Sequence, residues 1–431
     1  MRFGPVVGVV TMLVVARAGA QQPAATQLEV TLNEAVQRAL QVQPAMVQAR
    51  GDVRDAGAAR RAAYGAFIPS LSASTDALRN STARRDPNTD IVYPPGYSYS
   101  VGLSASLTQF NPFRRLAERS AAAASLDAAE AGVVNQRFDV TLRTKTAFYA
   151  ALANEELVRV SQSQVRRAQQ QLQISVEKLR AGSATRSDSL RSRVDYGNAR
   201  IALLEAEANL ATAQANLGRQ IGLDQPVRAV PDTVLPPLPD TSSLRTTALA
   251  SAPQVEQATA RARAATAQLT SQRFQYFPNL TISYSNNQNS LDPPWQGLGS
   301  YRETFSWRFG LSWPLFNGFV RERDQVNAAT ARDLAQANAA DARRGVNAQL
   351  TQQLAALATT YEQITIARDN LAAATEDLRV QNERYRVGAA TILDLLTSQA
   401  ALTQAEVNVV QTRFNYLIAR AQVEAVVGRT L

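Results

Sequence analysis

The sequence predicts a mainly α protein with membrane β-strands: long coiled-coil helices plus four strands that are part of a transmembrane β-barrel, built as an internal tandem duplication. Three observations predict it. Landmarks recur in one order at an offset of about 200 residues, apolar residues recur every seven over long stretches, and four short segments alternate between apolar and small polar side chains.

The duplication is carried by two nine-residue stretches. Arg180-Ala181-Gly182-Ser183-Ala184-Thr185-Arg186-Ser187-Asp188 is echoed, 206 residues on, by Arg386-Val387-Gly388-Ala389-Ala390-Thr391-Ile392-Leu393-Asp394, and Asn111 corresponds to Asn317 at the same offset. Phe67-Ile68-Pro69-Ser70-Leu71 matches Tyr276-Phe277-Pro278-Asn279-Leu280 at an offset of 209. The first copy is therefore placed at 21–222 and the second at 244–431. Between them, 223–243 holds Pro226, Pro231, Pro236, Pro237 and Pro239 and reads as a connector in which neither helix nor central strand continues.

Residues 1–20 read as an export signal: Arg2, an apolar core over 6–15, then Ala18-Gly19-Ala20 before Gln21. The other reading is a short membrane anchor, but ten or so residues fall short of the ~20 that span a bilayer as a helix.

Heptads define the helices. Leu350, Leu357, Ile364, Leu371, Leu378, Tyr385 and Ile392 form one series, Leu395, Leu402, Val409, Tyr416 and Val423 a second, and Val158, Val165, Leu172 and Leu179 a third. At ~1.5 Å per residue, 114–181 and 318–387 each reach on the order of 100 Å. The hairpins end at the repeated turns. Gly182 and Gly388 suit the left-handed position after a helix, and Thr185 and Thr391 suit the N-cap of the next. Asp188 and Asp394 sit where a capping box has its acid, which is their plain structural reading.

The alternating segments are 97–108 and 304–315, with shorter ones after Pro69 and Asn279. They put Tyr97, Tyr99, Leu103 and Leu107 on one face, and Phe305, Trp307, Phe309, Leu311 and Trp313 on the corresponding face of the second copy. A half-buried sheet of a soluble domain is the alternative. Strands of ten to twelve residues, aromatics near their ends, and no helix with a matching apolar surface favour a lipid-facing barrel wall. The polar stretches 79–96 and 286–301 read as its longer loops. Four strands cannot close a barrel whose smallest membrane examples have eight, so the chain must oligomerise around an axis.

Composition excludes other chemistry. The 431 residues include no Cys and no His, so disulfides, thiol or imidazole catalysis and Cys/His metal sites are excluded. The excess of 45 basic over 36 acidic residues is spread among acids along the chain instead of clustered with aromatics, which argues against nucleic acid. No enzyme, cofactor or metal is expected. A periplasmic adaptor, which also has long coiled-coil hairpins, is the competing binding-protein reading; it would show one hairpin flanked by β-rich domains, not four strands in two copies.

Tyr385-Arg386-Val387-Gly388 with Thr391-Ile392-Leu393-Asp394, Arg413-Phe414-Asn415-Tyr416-Leu417, and Thr31-Leu32-Asn33-Glu34-Ala35 together resemble the TolC-like outer membrane efflux protein family, over nearly the whole chain. The resemblance implies a homotrimer in the outer membrane whose helices form a helical barrel across the periplasm. It implies a passive exit duct for efflux or type I secretion, with a periplasmic adaptor and an inner-membrane pump docking at the hairpin turns Gly182, Thr185, Gly388 and Thr391. It also implies a periplasmic gate at Asp188, Asp394 and Tyr385. Two departures bear on the gate: Ala390 stands where some members have an arginine, and Thr397 where they have a second aspartate.

Overall fold

The computed structural model describes residues 28–85, 92–93, 95–231, 235–240, 244–245 and 251–431. The expected export signal lies outside them. The elements in order are β1 (Leu28–Val30), α1 (Leu32–Val42), α2 (Pro44–Gly65), β2 (Ser70–Asn80), β3 (Arg84–Arg85), β4 (Val92–Tyr93), β5 (Gly96–Phe110), α3 (Pro112–Arg180) and α4 (Arg186–Gln220). There follow β6 (Val227–Ala229), α5 (Pro253–Arg273), β7 (Asn279–Ser290), β8 (Arg302–Ser312), α6 (Val320–Arg386) and α7 (Ile392–Val427). The duplication is visible in this order: helix, two strands and a long helical hairpin occur twice.

The four long strands form one antiparallel sheet in the order β2-β5-β7-β8, so the copies meet at β5 and β7 and the outer edges are β2 and β8. Among the described residues no helix covers it: all of β2 except Asn80, and all of β8 except Gly310, are exposed. The strands outrun their expected limits. β7 continues to Ser290, so 286–290 belongs to the wall and not to a loop, because Asn286–Ser290 keep pairing with β5. The 79–96 stretch likewise contains the small β3–β4 ladder. In the other direction, Trp313 falls just past β8, where Pro314 ends the alternation.

Each strand passes into a helix through a specific corner. In β5 the register slips by one residue between Leu107 and Phe110, with Gln109 at φ 52°, which turns the strand toward α3. Buried Asn111 then caps α3 by accepting from the Arg114 amide at 3.0 Å, and its Nδ2 donates to the Phe274 carbonyl of the second copy at 2.9 Å. At the equivalent corner, Arg321 donates to the Pro314 and Leu315 carbonyls at 2.7 and 3.0 Å and stacks on Tyr276.

α3 has 69 residues and α6 has 67, close to the lengths read from the heptads. Shorter helices pack along them in succession. Nearer the sheet the layer is α2-α3-α5-α6, and toward the turns it becomes α4-α3-α7-α6. Four helices thus continue four strands at every level. Leu350, Leu357, Ile364 and Leu378 are buried against α7, where Leu395, Leu402, Tyr416 and Val423 are buried in turn, while Leu371, Tyr385 and Val409 of the same series are partly buried. The first hairpin departs from its series. Val158 is buried, but toward the turn Val165, Leu172 and Leu179 are only partly buried, and Ala168, Gln171 and Ser175 take the seam. Small polar partners explain the shift: Ser175 and Ser192 meet through their hydroxyls at 2.8 Å, and Gln171 donates to Ser175 at 3.2 Å.

A compact cluster lies midway along the rods. Val30, Ala35, Ala39 and Met46 pack with Val140, Phe148, Leu217, Ile221 and Val227. Here β6 pairs in parallel with β1, so the proline-rich connector contains a three-residue strand between Pro226 and Pro231. Proline at both flanks permits a short edge pairing and nothing longer. Residues 232–234 and 241–243 of that connector lie outside the described residues.

Leu357 is fully buried on the α6–α7 seam, so Leu357→Ala should cost ~2–5 kcal/mol. A thermal unfolding midpoint unchanged from the parent would contradict this packing.

Candidate functional site

The features that bear on function sit at the two ends of the rods. At the turn end, both glycines adopt the expected left-handed conformation, Gly182 at φ 77° and Gly388 at φ 79°. Thr185 and Thr391 are N-caps, each with a reciprocal capping box. In the second turn Asp394 Oδ2 accepts from the Thr391 amide at 2.9 Å and hydroxyl at 2.7 Å. In the first, Asp188 Oδ2 accepts from the Thr185 amide at 3.0 Å and hydroxyl at 2.8 Å. A side chain one methylene shorter than Glu still reaches the cap. The Thr391 amide, then its hydroxyl, hold the Asp394 carboxyl below its usual pKa, against a smaller effect of desolvation. The cap contribution of Asp394 is therefore fully present above the unfolded pKa and is lost as pH falls through the lowered folded value.

Tyr385 does not meet either aspartate. Its carbonyl accepts from Lys178 Nζ at 2.8 Å, and the same ammonium lies 3.9 Å from its ring centroid. Sequence reasoning missed Lys178, although its rarity was a signal: Lys145 and Lys178 are the only lysines in the chain. It also missed a bidentate pair higher on the same seam. Arg167 donates to Glu406 at 2.8 and 3.1 Å and to Thr403 at 3.0 Å. Ala390 lies in the second turn, and Thr397 donates to its own helix at the Leu393 carbonyl.

At the sheet end, cross-strand register sorts the side chains into two faces. One carries Ser70-Ser106-Ser283-Arg308, Ser72-Ser104-Ser285-Ser306 and Ser74-Gly102-Asn287-Thr304. Its hydroxyls pair directly, as in Ser72 with Ser104 at 2.7 Å and Ser285 with Ser306 at 2.9 Å. The other carries Leu71-Ala105-Tyr284-Trp307, Leu107-Ile282-Phe309 and Ala73-Leu103-Asn286-Phe305. Tyr97 and Tyr99 share that face, with Tyr99 opposite Ala77 and Tyr97 opposite Arg79. Leu311, opposite Leu280, extends the face at the helix end, and beyond the strand Trp313 donates its indole N–H to the Tyr276 carbonyl at 3.0 Å. Phe305, Trp307, Phe309 and Leu311 are 60–74% exposed, so none of the described residues buries this part of the face.

The apolar band has an upper limit that alternation alone did not give. Asn286, opposite Leu103 and Phe305, donates to Glu303 at 2.7 Å, and Gln288 lies one row further toward the loops. The band therefore runs from Phe305 to Trp313, with Trp307 and Phe309 near its middle. Among the described residues no helix is long and apolar enough to cross a membrane.

The comparisons with known proteins agree with this geometry. The chain matches the family described as outer membrane efflux protein over residues 35–223 and 244–429, one segment for each copy. Protein CyaE of Bordetella pertussis is 27% identical over 88% of this chain and 80% of its own length. The pyoverdine export outer membrane protein OpmQ of Pseudomonas aeruginosa is 29% identical over 90% and 83%. Among solved structures, the Campylobacter jejuni CmeC outer membrane channel superposes with a TM-score of 0.78 at 18% identity, over 92% of this chain and 85% of that one. The open state of the Neisseria gonorrhoeae MtrE outer membrane channel gives 0.75 at 17%, over 92% and 89%. A periplasmic adaptor finds no support, since both copies feed strands into one sheet. Two matched segments, one shared sheet and two long hairpins place this chain in the outer membrane efflux protein family.

Proposed function

We propose that three copies of this chain form a passive exit duct in the outer membrane, which receives solutes from an inner-membrane pump through a periplasmic adaptor. The observation that carries this reading is the uncovered sheet: an apolar face about one membrane tall, with two edges left unpaired among the described residues, at one end of helical rods ~100 Å long. Open edges in hydrocarbon leave backbone groups unpaired at several kcal/mol each, so the sheet closes with copies of itself. Two copies would give eight strands, a barrel whose interior is filled by side chains; three give twelve and leave a bore lined by the serine face. The relatives' names, an export outer membrane protein and efflux pump outer membrane proteins, support a role as the outer component of such an assembly.

In this reading Leu103, Leu107, Phe305, Trp307, Phe309, Leu311 and Trp313 face lipid, Tyr97 and Tyr99 continue that face above the band, beyond Asn286, and the turns at Gly182, Thr185, Gly388 and Thr391 take the adaptor. Tyr385, Asp188 and Asp394 belong to the gate at the turn end. Each aspartate caps through a single oxygen, Oδ2, so capping and a role at the constriction are compatible. Three protomers bring up to six carboxylates toward one axis, where their like charges attract cations. The copies correspond to 21–222 and 244–431, with 223–243 between them and an export signal before them.

Four outcomes test the proposal. Phe309→Arg, near the middle of the band, should cost ~2–4 kcal/mol and deplete assembled protein in the outer membrane, while Leu103→Arg, beside Asn286 at the upper edge, should cost ~0–1 kcal/mol. Ser104→Arg should assemble and alter conductance; equal loss of assembly at Phe309 and Ser104 would mean an ordinary buried strand. In planar bilayers, the Asp188→Asn/Asp394→Asn double variant should lose cation preference, and parental selectivity would leave the aspartates as caps alone. Deleting the gene should raise cellular sensitivity to at least one exported solute, with rescue by the parent chain; rescue by a chain lacking 304–312 would contradict a duct.

A further inference from the structure

The face that the serines share is almost uncharged. Among the described strand residues of β2, β5, β7 and β8, the register puts three ionised side chains on it: Asp76, Arg302 and Arg308. Asp76 and Arg302 end one row at the loop side of the sheet, joined through Ser100 and Asn289, so each copy brings one acid and one base there. Arg308 stands apart from both. It lies six residues nearer the helices than Arg302, ~20 Å along the strand, between Trp307 and Phe309 at the middle of the apolar band. Each copy therefore carries one uncompensated positive charge on this face, at half the height of the wall.

The surroundings of that charge are equally unpaired. Arg308 is exposed and forms no ion pair or hydrogen bond among the described residues. Ser283 is directly opposite it, and one row toward the helices Thr281 is opposite Gly310. Neither hydroxyl is hydrogen-bonded among the described residues, whereas one row toward the loops Ser285 and Ser306 bond to each other at 2.9 Å. A Cβ built at Gly310 would meet Thr281 Cβ at 3.9 Å and nothing nearer, so the helix side of the guanidinium is open. A planar cationic fork and two hydroxyl donors thus border one empty space, a set that suits a carboxylate.

We propose that Arg308, with Ser283 and Thr281, is a binding site for carboxylate-bearing solutes, repeated three times around the middle of the barrel. This rests on the duct reading and names a solute class for it. Twelve strands ~4.8 Å apart and tilted ~40° put the backbone ~12 Å from the axis. An extended arginine covers about half of that distance, so a solute on the axis lies within the ~8 Å Debye length of all three charges. The hydrocarbon outside the wall is a poor dielectric and confines their field to the bore. The sign is opposite to that of Asp188 and Asp394 at the turn end, so substitutions separate the two sites.

Block of single-channel current by citrate tests this, with the citrate added on the loop side of purified trimers in planar bilayers free of divalent cations. Heat-stable trimer yield is read for every variant. The half-blocking concentration should rise about tenfold in Arg308→Gln and about threefold in Arg308→Lys, which keeps the charge and loses the fork, and should stay within about twofold of the parent in Arg302→Gln. Block of the parent should fade between about 0.1 M and about 1 M KCl, as the Debye length shrinks from ~10 to ~3 Å. If Arg308→Gln lowers trimer yield, Arg308→Lys and the salt dependence decide. A conducting parent that citrate blocks no better than Arg308→Gln, or no better than Arg308→Lys at every salt concentration, overturns the site. So does a block that the parent lacks and Asp76→Asn creates, because Asp76 of a neighbouring copy then neutralises Arg308. A parent that does not conduct removes the duct reading itself, and the site falls with it.

Discussion

Everything in this protein follows from one constraint, the need to pair the edges of a sheet whose apolar face the protomer leaves exposed. The protomer leaves β2 and β8 with unpaired edges and leaves Phe305, Trp307, Phe309 and Leu311 uncovered. In water such a sheet would aggregate, and in lipid its edges would each carry a row of unsatisfied amides and carbonyls. The solution that the fold offers is self-completion. The serine face has its own hydroxyl pairs and tolerates water, and the opposite face tolerates only lipid, so closure of the edges fixes which side becomes the bore.

The helical part copies the width of the sheet. Four strands hand over to four helices, and the handover is made rigid at two corners: Asn111 binds the first copy to Phe274 of the second, and Arg321 clamps the end of β8 to the start of α6. Midway, short helices exchange with each other along α3 and α6, and the cluster around Phe148 and Met46 locks that exchange. Below it each hairpin has its own seam, and the described hydrogen bonds between hairpins are those of Arg167 and Lys178.

Much of this was legible in the sequence because it is written in periods. Seven-residue spacing at Leu350, Leu357 and Ile364 and two-residue spacing at Phe305, Trp307 and Phe309 are direct consequences of which face is buried or greasy. The paired Gly-x-x-Thr turns were legible because a left-handed residue and an N-cap have few chemical solutions. The seam of the first hairpin was not, since Gln171, Ser175 and Ser192 seal it through hydrogen bonds that leave no apolar period. The β6 strand hid among prolines, and the Lys178–Tyr385 contact pairs residues 207 apart through a backbone carbonyl, which no side-chain pattern encodes. The upper limit of the apolar band likewise depended on register, which sets Asn286 beside Phe305.

The most direct test is whether the two free edges meet between copies. The chain has no cysteine, so one engineered at Ser306 of β8 and a second moved along Ser70, Ser72 and Ser74 of β2 report only on each other. Within one protomer β2 and β8 are separated by two strands, ~14 Å, too far for a disulfide. Oxidation in intact outer membranes should give covalently linked trimers at one β2 position and little at its neighbours. Monomers at every position, in protein that is folded and in the membrane, would contradict a shared barrel.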